Sequence, residues 1–435
     1  MSRDHKHRSQ ALLLVLLTAA LFWTPTIARA NAVDDWTLIG RQVIVTTGAR
    51  AGLSQIDFAY VHIVIYDAVN AIDGRYTVFA VVPSMSAVGA SPEAATAAAA
   101  RTMLKWLFPA QAASIETTYT NYLLGIPNSP AKTQGINVGI DVANQFIVMR
   151  TGDGRNAAVT YTFSLPGPGV YQPTPAPPPG YTGPVGPWVP GFKTFGIKDA
   201  TQFRAPGPPN LTSAKWAQDY NETKAYGAAT GSLRTATQTG IGLFYAENPG
   251  LQGNRNIYDT AAPHNFSVAD SARFYAQLYV TMADAQITTW NSKYYYNFWR
   301  PVTAIRAGDI DGNAKTEPNL SWSPLVVTPQ HMEYPAAHPT VTGAFAYGLK
   351  EFFGTKSVDV TMKSTFPGAT PSQHFTDIND IVKNVINGRI YGGMHYRTSG
   401  EHGAAIAKSV AHYIARNYFR KVADVADDPD DVDEQ

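Results

Sequence analysis

The sequence predicts an all-α protein with the architecture of a helical bundle. Apolar residues recur at three- and four-residue steps over most of the chain, which is the period of a helix with one buried face. Strand signals are few and short, at residues 157–163 and 325–328. The 435 residues are 45% hydrophobic and 15% charged, which suits one large core or two smaller ones and excludes a disordered chain.

The first thirty residues are typical of a secretory signal peptide. Three basic residues precede an apolar run at positions 11–23, and residues 28–30 read Ala-Arg-Ala, which fits a cleavage site. The run has thirteen residues, whereas a membrane span needs about twenty. We therefore expect a secreted or periplasmic protein that has no membrane span once residues 1–30 are removed.

An N-terminal helical part is predicted over residues 31–160. One apolar helix starts behind a possible cap at Ser54 and runs to position 71, and three more follow at 92–107, 110–124 and 131–149. Gly or Pro residues separate them. Four helices in so short a stretch favour a bundle.

A Pro/Gly-rich surface loop is predicted over residues 161–210. Positions 166–190 contain ten prolines and five glycines, a density that neither a helix nor a central strand accepts. Three aromatic residues, Tyr171, Tyr181 and Trp188, suggest that the loop lies on the body of the protein.

The helical pattern resumes in a catalytic part over residues 211–422. The predicted helices are 215–226, 235–245, 268–299, 340–353, 374–391 and 399–419. Residues 423–435 contain seven acidic side chains and predict a solvated, disordered tail.

Charge and cysteine content exclude several functions. The formal charge is +1, so no excess of basic residues is available to neutralise the phosphates of a nucleic acid. The chain has no cysteine, which excludes disulfides, thiolate zinc sites, iron–sulfur clusters and a cysteine nucleophile. Any chemistry must come from His, carboxylates, Lys, Arg or hydroxyls.

Two cations near position 300 form the first unusual pattern. A seven-residue step on a helix returns to nearly the same face, so Lys293 and Arg300 are predicted to project together beside Trp290. Pro301 then disfavours continuation of the helix. Solvated surface cations would be the simplest interpretation of such a pair. The neighbouring aromatic residues favour burial instead, and with it an oxyanion site.

Two further segments place histidines beside helix ends. Pro339 suits a first helical turn, which would put His338 at a helix cap with free backbone N–H groups nearby. Arg389 and His395 flank a Gly-Gly turn between two predicted helices, so both can face one cavity. Each segment alone could be structural, but three together are better explained by a shared site.

The three segments resemble the signature of the vanadium-dependent haloperoxidases and type 2 phosphatidic acid phosphatases. The matching elements are Lys293-x6-Arg300-Pro301, Pro335-Ala-Ala-His338 and Arg389-x5-His395. The resemblance implies a helical-bundle fold and a bound vanadate, with phosphate able to occupy the same site. It implies that these groups hold the oxyanion: Lys293, Arg300, Arg389 and the backbone N–H of Ala337.

The resemblance also implies catalytic roles. His395 would bind vanadium or attack phosphorus, and His338 would act as acid or base at the opposite apex. In a peroxidase, hydrogen peroxide would replace an oxygen of vanadate to give a peroxovanadate, Lys293 would polarise it, and a halide would attack. Trp290 and His331 stand where haloperoxidases and bromoperoxidases of the family carry Trp and an extra His, which favours the bacterial haloperoxidase-like branch.

Three positions depart from the family pattern. Ala336 replaces a serine whose hydroxyl would contact the oxyanion, and one lost hydrogen bond costs about 1 kcal/mol or more. Gly388 replaces another serine. Ser399 replaces an aspartate, so His395 needs another carboxylate partner, for which Asp219 and Glu222 are candidates.

A vanadate-dependent haloperoxidase-like enzyme is the leading interpretation. Its substrates would be small molecules: hydrogen peroxide, a halide and an organic acceptor. An acid phosphatase acting on phosphate esters through a phosphohistidine is the alternative, although the missing aspartate fits it less well. A third possibility is an oxyanion-binding protein that has lost turnover.

Overall fold

The computed structural model of the protein describes residues 31–46, 53–155, 157–175 and 179–426. The predicted signal peptide lies outside these residues, as do positions 427–435 of the predicted acidic tail. The all-α class is confirmed, because the described strands amount to one short hairpin beside many helices.

The N-terminal region contains five helices. They are α1 (Ala32–Thr46), α2 (Ser54–Asp73), α3 (Pro92–Leu107), α4 (Ala112–Leu124) and α5 (Pro130–Met149). Ser91 and Ser129 cap α3 and α5 by accepting hydrogen bonds from backbone N–H groups, and each is followed by a proline that suits the first helical position. Helix α1 was not predicted from the sequence.

The described residues between α5 and the next helix are mostly irregular chain, with exposed stretches and buried residues such as Tyr171 and Val189. They contain one short 3₁₀ turn, Val189–Gly191, and the strand predicted at 157–163 is wrong, since the described residues there pair with no other strand. Several hydrogen bonds attach this segment to the body. The Trp290 indole N–H donates to the Val185 carbonyl at 3.0 Å, and the buried Asp284 carboxylate accepts the N–H groups of residues 195–197.

The remaining helices follow in chain order. They are α6 (Ala214–Gly227), α7 (Ala236–Phe244), α8 (Pro249–Ala261), α9 (Val268–Tyr296), α10 (Pro301–Arg306), α11 (Ala337–Phe353), α12 (Ile378–Tyr391), α13 (Arg397–Asn417) and α14 (Val422–Ala426). Strands β1 (Ser357–Lys363) and β2 (Ser372–Asp377) form the antiparallel hairpin, in which Val360 lies opposite Phe375.

Several sequence predictions in this region are wrong. The helix predicted at 268–299 ends at Tyr296, because Asn297 adopts a left-handed conformation with φ of 49°. The helix predicted at 374–391 begins only at Ile378, because the preceding residues form β2. Residues 325–328 lie in no named strand, and the tail predicted to be disordered from position 423 begins within helix α14. Helices α8, α10 and α14 were not predicted.

Helix α9 lies at the centre of the core. Its residues are buried along almost its whole length, and it packs against α2, α11 and α13. The described residues from Asn31 onward form one compact unit with one hydrophobic core. No described helix has the length and apolar character needed to cross a membrane.

Candidate active site

The three sequence motifs meet where several element ends converge. Lys293 lies in the last turn of α9, Arg300 precedes α10, and Arg389 lies in the last turn of α12. The prediction that Lys293 and Arg300 share one helix face is wrong, because α9 ends between them. Both side chains nevertheless reach the same buried cluster, since the chain leaves the helix at the left-handed Asn297.

The ammonium group of Lys293 is held by the backbone of one short segment. Its Nζ donates to the carbonyl oxygens of Met332, Glu333 and Pro335 at 3.0, 2.8 and 2.6 Å. Lys293 is fully buried. Burial lowers its pKa well below the usual value, and the neighbouring cations Arg300 and Arg389 lower it further.

Arg300 connects the second and third motifs. Its Nε donates to the His331 carbonyl at 2.7 Å, and its Nη1 donates to the Met394 carbonyl at 3.0 Å and to His395 Nε2 at 3.1 Å. A guanidinium group can only donate, so Nε2 of His395 is the accepting nitrogen and Nδ1 carries the proton. Nε2 is therefore the nucleophilic nitrogen of this imidazole.

A carboxylate that the sequence analysis missed holds the other side of His395. Nδ1 of His395 lies 2.8 Å from Oε1 of Glu333, and both residues are buried. The candidates Asp219 and Glu222 do not fill this role: Glu222 pairs with Arg397, and Asp219 lies beside Lys215. The sequence did contain a signal for this role. Glu333 is a carboxylate beside the second motif, and the aspartate expected at position 399 is missing.

His338 lies two positions further into α11 than predicted. Ala336 is the N-cap, so His338 is the second helical residue rather than the cap. Its ring is held by the backbone of Glu247, and its Nε2 is buried without a partner among the described residues. The first turn of a helix has N–H groups that lack intrahelical partners, which leaves the Ala337 N–H free to donate to an anion.

The cluster carries more positive than negative charge. Lys293, Arg300 and Arg389 are all buried, and Glu333 is the one buried carboxylate in hydrogen-bond contact with the cluster among the described residues. Burial lowers the pKa of Arg300 to about 10 and that of Arg389 to about 9, the latter helped by Arg300. Buried charge without a counter-charge is costly, so this arrangement favours an anion.

A cavity of about 360 Å³ opens onto the cluster. His338, Arg389, Ala337, Trp290 and His331 line it, together with apolar residues that include Val185, Val326, Val327 and Val341. The carboxylate of Glu247 also lines it but is paired with Arg255. This cavity is not lined by Lys293, Arg300 or His395. Hydrogen bonds connect these three residues to others that line the cavity or lie next to it.

Trp290 and His331 form one wall of the cavity. Their rings lie 5.3 Å apart between centroids, and the ammonium of Lys293 lies 5.9 Å from the Trp290 ring. Arg300 Nη2 lies 3.1 Å from Nδ1 of His331. The indole N–H of Trp290 is used by the Val185 carbonyl, so Trp290 contributes its ring face rather than its N–H to the site.

Comparison with known proteins supports the resemblance that the three motifs indicate. Residues 273–424 match the family model of the VCPO second helical-bundle domain. This match covers all three motifs. Over these residues the chain matches the helical-bundle domain that carries the site, which supports the resemblance to the vanadium-dependent haloperoxidases and type 2 phosphatidic acid phosphatases.

Individual members of this superfamily are similar to the chain. It is 29% identical over 91 residues to the vanadium chloroperoxidase of Curvularia inaequalis, a match that spans 20% of this chain and only 15% of that protein. The crystal structure of a bacterial vanadium-dependent iodoperoxidase covers 90% of this chain and 96% of its own, with a TM-score of 0.74 and 22% identity. A holo-type bacterial vanadium-dependent chloroperoxidase covers 90% and 93%, with a TM-score of 0.67 and 17% identity.

The residues fit the oxyanion that gives this superfamily its name. Two buried polar atoms beside the cavity, Nε of Arg389 and Nε2 of His338, have no hydrogen-bond partner within the described part of the chain. The donor set is cationic and lies beside one unprotonated imidazole nitrogen, His395 Nε2, whose lone pair accepts from Arg300. Vanadate and phosphate, which are anionic and accept a nitrogen as fifth ligand, match this chemistry.

Proposed function

We propose that the protein is a vanadate-dependent haloperoxidase-like enzyme that oxidises a halide with hydrogen peroxide. The observation that carries the proposal is the buried cluster of Lys293, Arg300 and Arg389 around the two histidines, with Glu333 as its single hydrogen-bonded carboxylate among the described residues. Vanadate bound there would supply a Lewis-acid centre that activates peroxide toward the halide.

Each residue of the cluster would have one task. The three cations would attract the anion by their charge, and Arg389, which lines the cavity and has an unpaired Nε, would donate to its oxygens together with the N–H of Ala337 at the start of α11. His395 would present Nε2, since its Nδ1 proton is held by Glu333. His338 would accept or donate a proton at Nε2, which is buried but borders the cavity. Burial and Arg389 lower its pKa well below the usual value, so the ring is neutral and ready to accept.

The test is bromination of a phenol by hydrogen peroxide, measured on protein stripped of metal and then supplied with vanadate. We expect activity only with both vanadate and peroxide. H395A and H338A should remove it, while E222Q, which breaks the pair with Arg397 away from the cavity, should retain it. A vanadate-loaded protein without halide oxidation for chloride, bromide or iodide would refute the proposal.

An acid phosphatase is the second candidate, and one observation favours it. A phosphohistidine mechanism needs a carboxylate to hold the reactive tautomer, and Glu333 lies 2.8 Å from Nδ1 of His395. The substitution at Ser399 is therefore no argument against phosphatase chemistry. Release of phosphate from an aryl phosphate, inhibited by vanadate, would identify this activity. Tight binding of phosphate with neither activity would identify a non-catalytic oxyanion-binding protein.

Secretion remains a proposal of its own, supported by the composition of residues 1–30. The expected result is a mature N-terminus at Asn31, which N-terminal sequencing of the protein exported by its own host would show. A mature protein that retains residues 1–30 would refute it.

A further inference from the structure

We propose that Glu333 positions His395, replacing the aspartate that related sequences carry where this chain has Ser399. The proposal deepens the proposed function, because it assigns how this chain orients the nitrogen that meets the oxyanion. Glu333 belongs to the second motif and His395 to the third, 62 residues apart in the chain. The carboxylate therefore comes from a different part of the sequence than in the family pattern.

The geometry of Glu333 is that of a fixed acceptor. Its Oε1 accepts from Nδ1 of His395 at 2.8 Å and from the backbone N–H of Tyr396 at 3.1 Å. Glu333 is fully buried and His395 is 1% exposed, so water does not compete for either bond. Two donors from consecutive residues fix the position of this oxygen, which in turn orients the imidazole ring.

The opposite edge of the ring completes the argument. Arg300 donates to Nε2 at 3.1 Å, while Glu333 accepts from Nδ1. Both contacts select the same tautomer, with the proton on Nδ1 and the lone pair on Nε2. Neither contact alone would prevent the ring from flipping, whereas the two together make the flipped ring lose both hydrogen bonds.

A carboxylate at position 399 could take the place of the one at position 333. The Ser399 side chain is buried beside the Glu333 carboxylate, and neither Ser399 Oγ nor Glu333 Oε2 has a hydrogen-bond partner in the described part of the chain. Burial raises the pKa of Glu333 to about 7, and the cations Lys293 and Arg300 oppose this shift. The backbone carbonyl of Ser399 accepts from the N–H of Ala336, which ties α13 to the second motif at the same place. An aspartate at position 399 would bring a second buried carboxylate against Glu333, and two such charges repel. One carboxylate at either position is therefore the stable arrangement.

The backbone of Glu333 has a separate role that must be kept constant in any test. Its carbonyl oxygen accepts from Lys293 Nζ at 2.8 Å, and its N–H donates to the Phe298 carbonyl at 2.9 Å. A side-chain substitution leaves both bonds possible. The variants E333Q and E333S thus test the carboxylate without removing the backbone support of Lys293.

The experiment compares E333Q, E333S and the exchange variant E333S/S399D with the unaltered protein and with E222Q as a matched carboxylate control. Vanadate affinity is measured by equilibrium dialysis of metal-free protein. Loss of an outer-shell carboxylate typically weakens metal binding about 10- to 100-fold, which is the expectation for E333Q and E333S. E333S/S399D should recover to within about threefold of the unaltered protein, and E222Q should be unchanged.

A second readout needs no vanadate. In protein labelled with ¹⁵N-histidine, the His395 signals should show a proton fixed on Nδ1 in the unaltered protein and in E333S/S399D, and a mixture of tautomers in E333Q. This result is independent of halide oxidation, so it holds even if the proposed enzymatic function is wrong. Unchanged vanadate affinity and an unchanged tautomer in E333Q would overturn the proposal. If E333Q fails to fold, the comparison of E333S with E333S/S399D decides, and lack of recovery in the latter overturns it.

Discussion

The buried histidine of α2 predicts how the fold responds to acid. His62 is fully buried, and its ring stacks on Tyr275 and Tyr279 of α9 with centroids 5.2 and 4.7 Å apart. Neither ring nitrogen has a hydrogen-bond partner within the described ranges. Burial lowers the pKa of His62 from the usual 6.5 to about 3.

The direction of the effect follows from that shift. The unfolded chain binds the proton near pH 6.5 and the folded chain only near pH 3, so acid favours unfolding. The stabilisation by neutral His62 is fully present above pH 6.5 and is lost progressively down to about pH 3. One pKa unit corresponds to about 1.4 kcal/mol, so lowering the pH from 7 to 5 should cost about 2 kcal/mol through His62 alone.

The assay is urea unfolding of the unaltered protein and of H62F at pH 7, 6 and 5. Phenylalanine keeps an aromatic ring against the two tyrosines but cannot bind a proton. All other titrating groups are the same in both proteins, so their contributions cancel in the difference. We expect H62F to gain about 2 kcal/mol relative to the unaltered protein between pH 7 and pH 5. The reasoning is refuted if the difference in unfolding free energy between H62F and the unaltered protein stays constant within about 0.5 kcal/mol from pH 7 to pH 5. A change of that size is the ordinary effect of a neutral substitution.

Three further predictions concern the site and the chain that covers it. A336S places a hydroxyl at the N-cap of α11 and should tighten vanadate binding about tenfold in equilibrium dialysis, because hydrogen bonds to charged groups contribute about 1.5–3 kcal/mol. The control A344S, in the interior of the same helix, should leave the vanadate affinity unchanged or weaker. D284A removes the acceptor of three N–H groups at residues 195–197 and should lower the free energy of unfolding by about 3 kcal/mol in urea, with less than about 1 kcal/mol contradicting this assignment. Phosphate at a hundred times its dissociation constant should stabilise the folded protein by about 2.7 kcal/mol, seen as a higher Tm, and R389M should remove most of that gain if Arg389 holds the anion.

The sequence predicts most long helices of this fold because their signals are local. Helix α3 follows a serine cap and a proline, and its buried alanines keep the helical period. The missed helix α8 contains several glycines and asparagines, residues with poor helix propensity, and is stabilised by packing rather than by composition. Strand β2 was assigned to a helix because its pairing with β1 is a tertiary contact that no local pattern records.

The candidate site was likewise predicted where its signals are local in the sequence and missed where residues meet from distant segments. The spacing of Lys293, Arg300, Arg389 and His395 indicates an oxyanion cluster, and the structure brings these four residues together around the second motif. Glu333 escaped notice because its contact with His395 joins segments far apart in the chain. The expected helical face of Lys293 and Arg300 also failed, since a single left-handed residue between them changes the path of the chain.

The way in which Lys293 is held has a consequence for sequence divergence. All three acceptors of its ammonium are main-chain carbonyls of the segment that precedes α11. Main-chain oxygens survive substitution of the residues that carry them, so side chains in this segment can change while the lysine keeps its place. Ala336, which stands where the family pattern has serine, is consistent with such a change. A search that scores only side-chain identity from Pro335 to His338 will therefore overlook proteins that retain the same arrangement of charges.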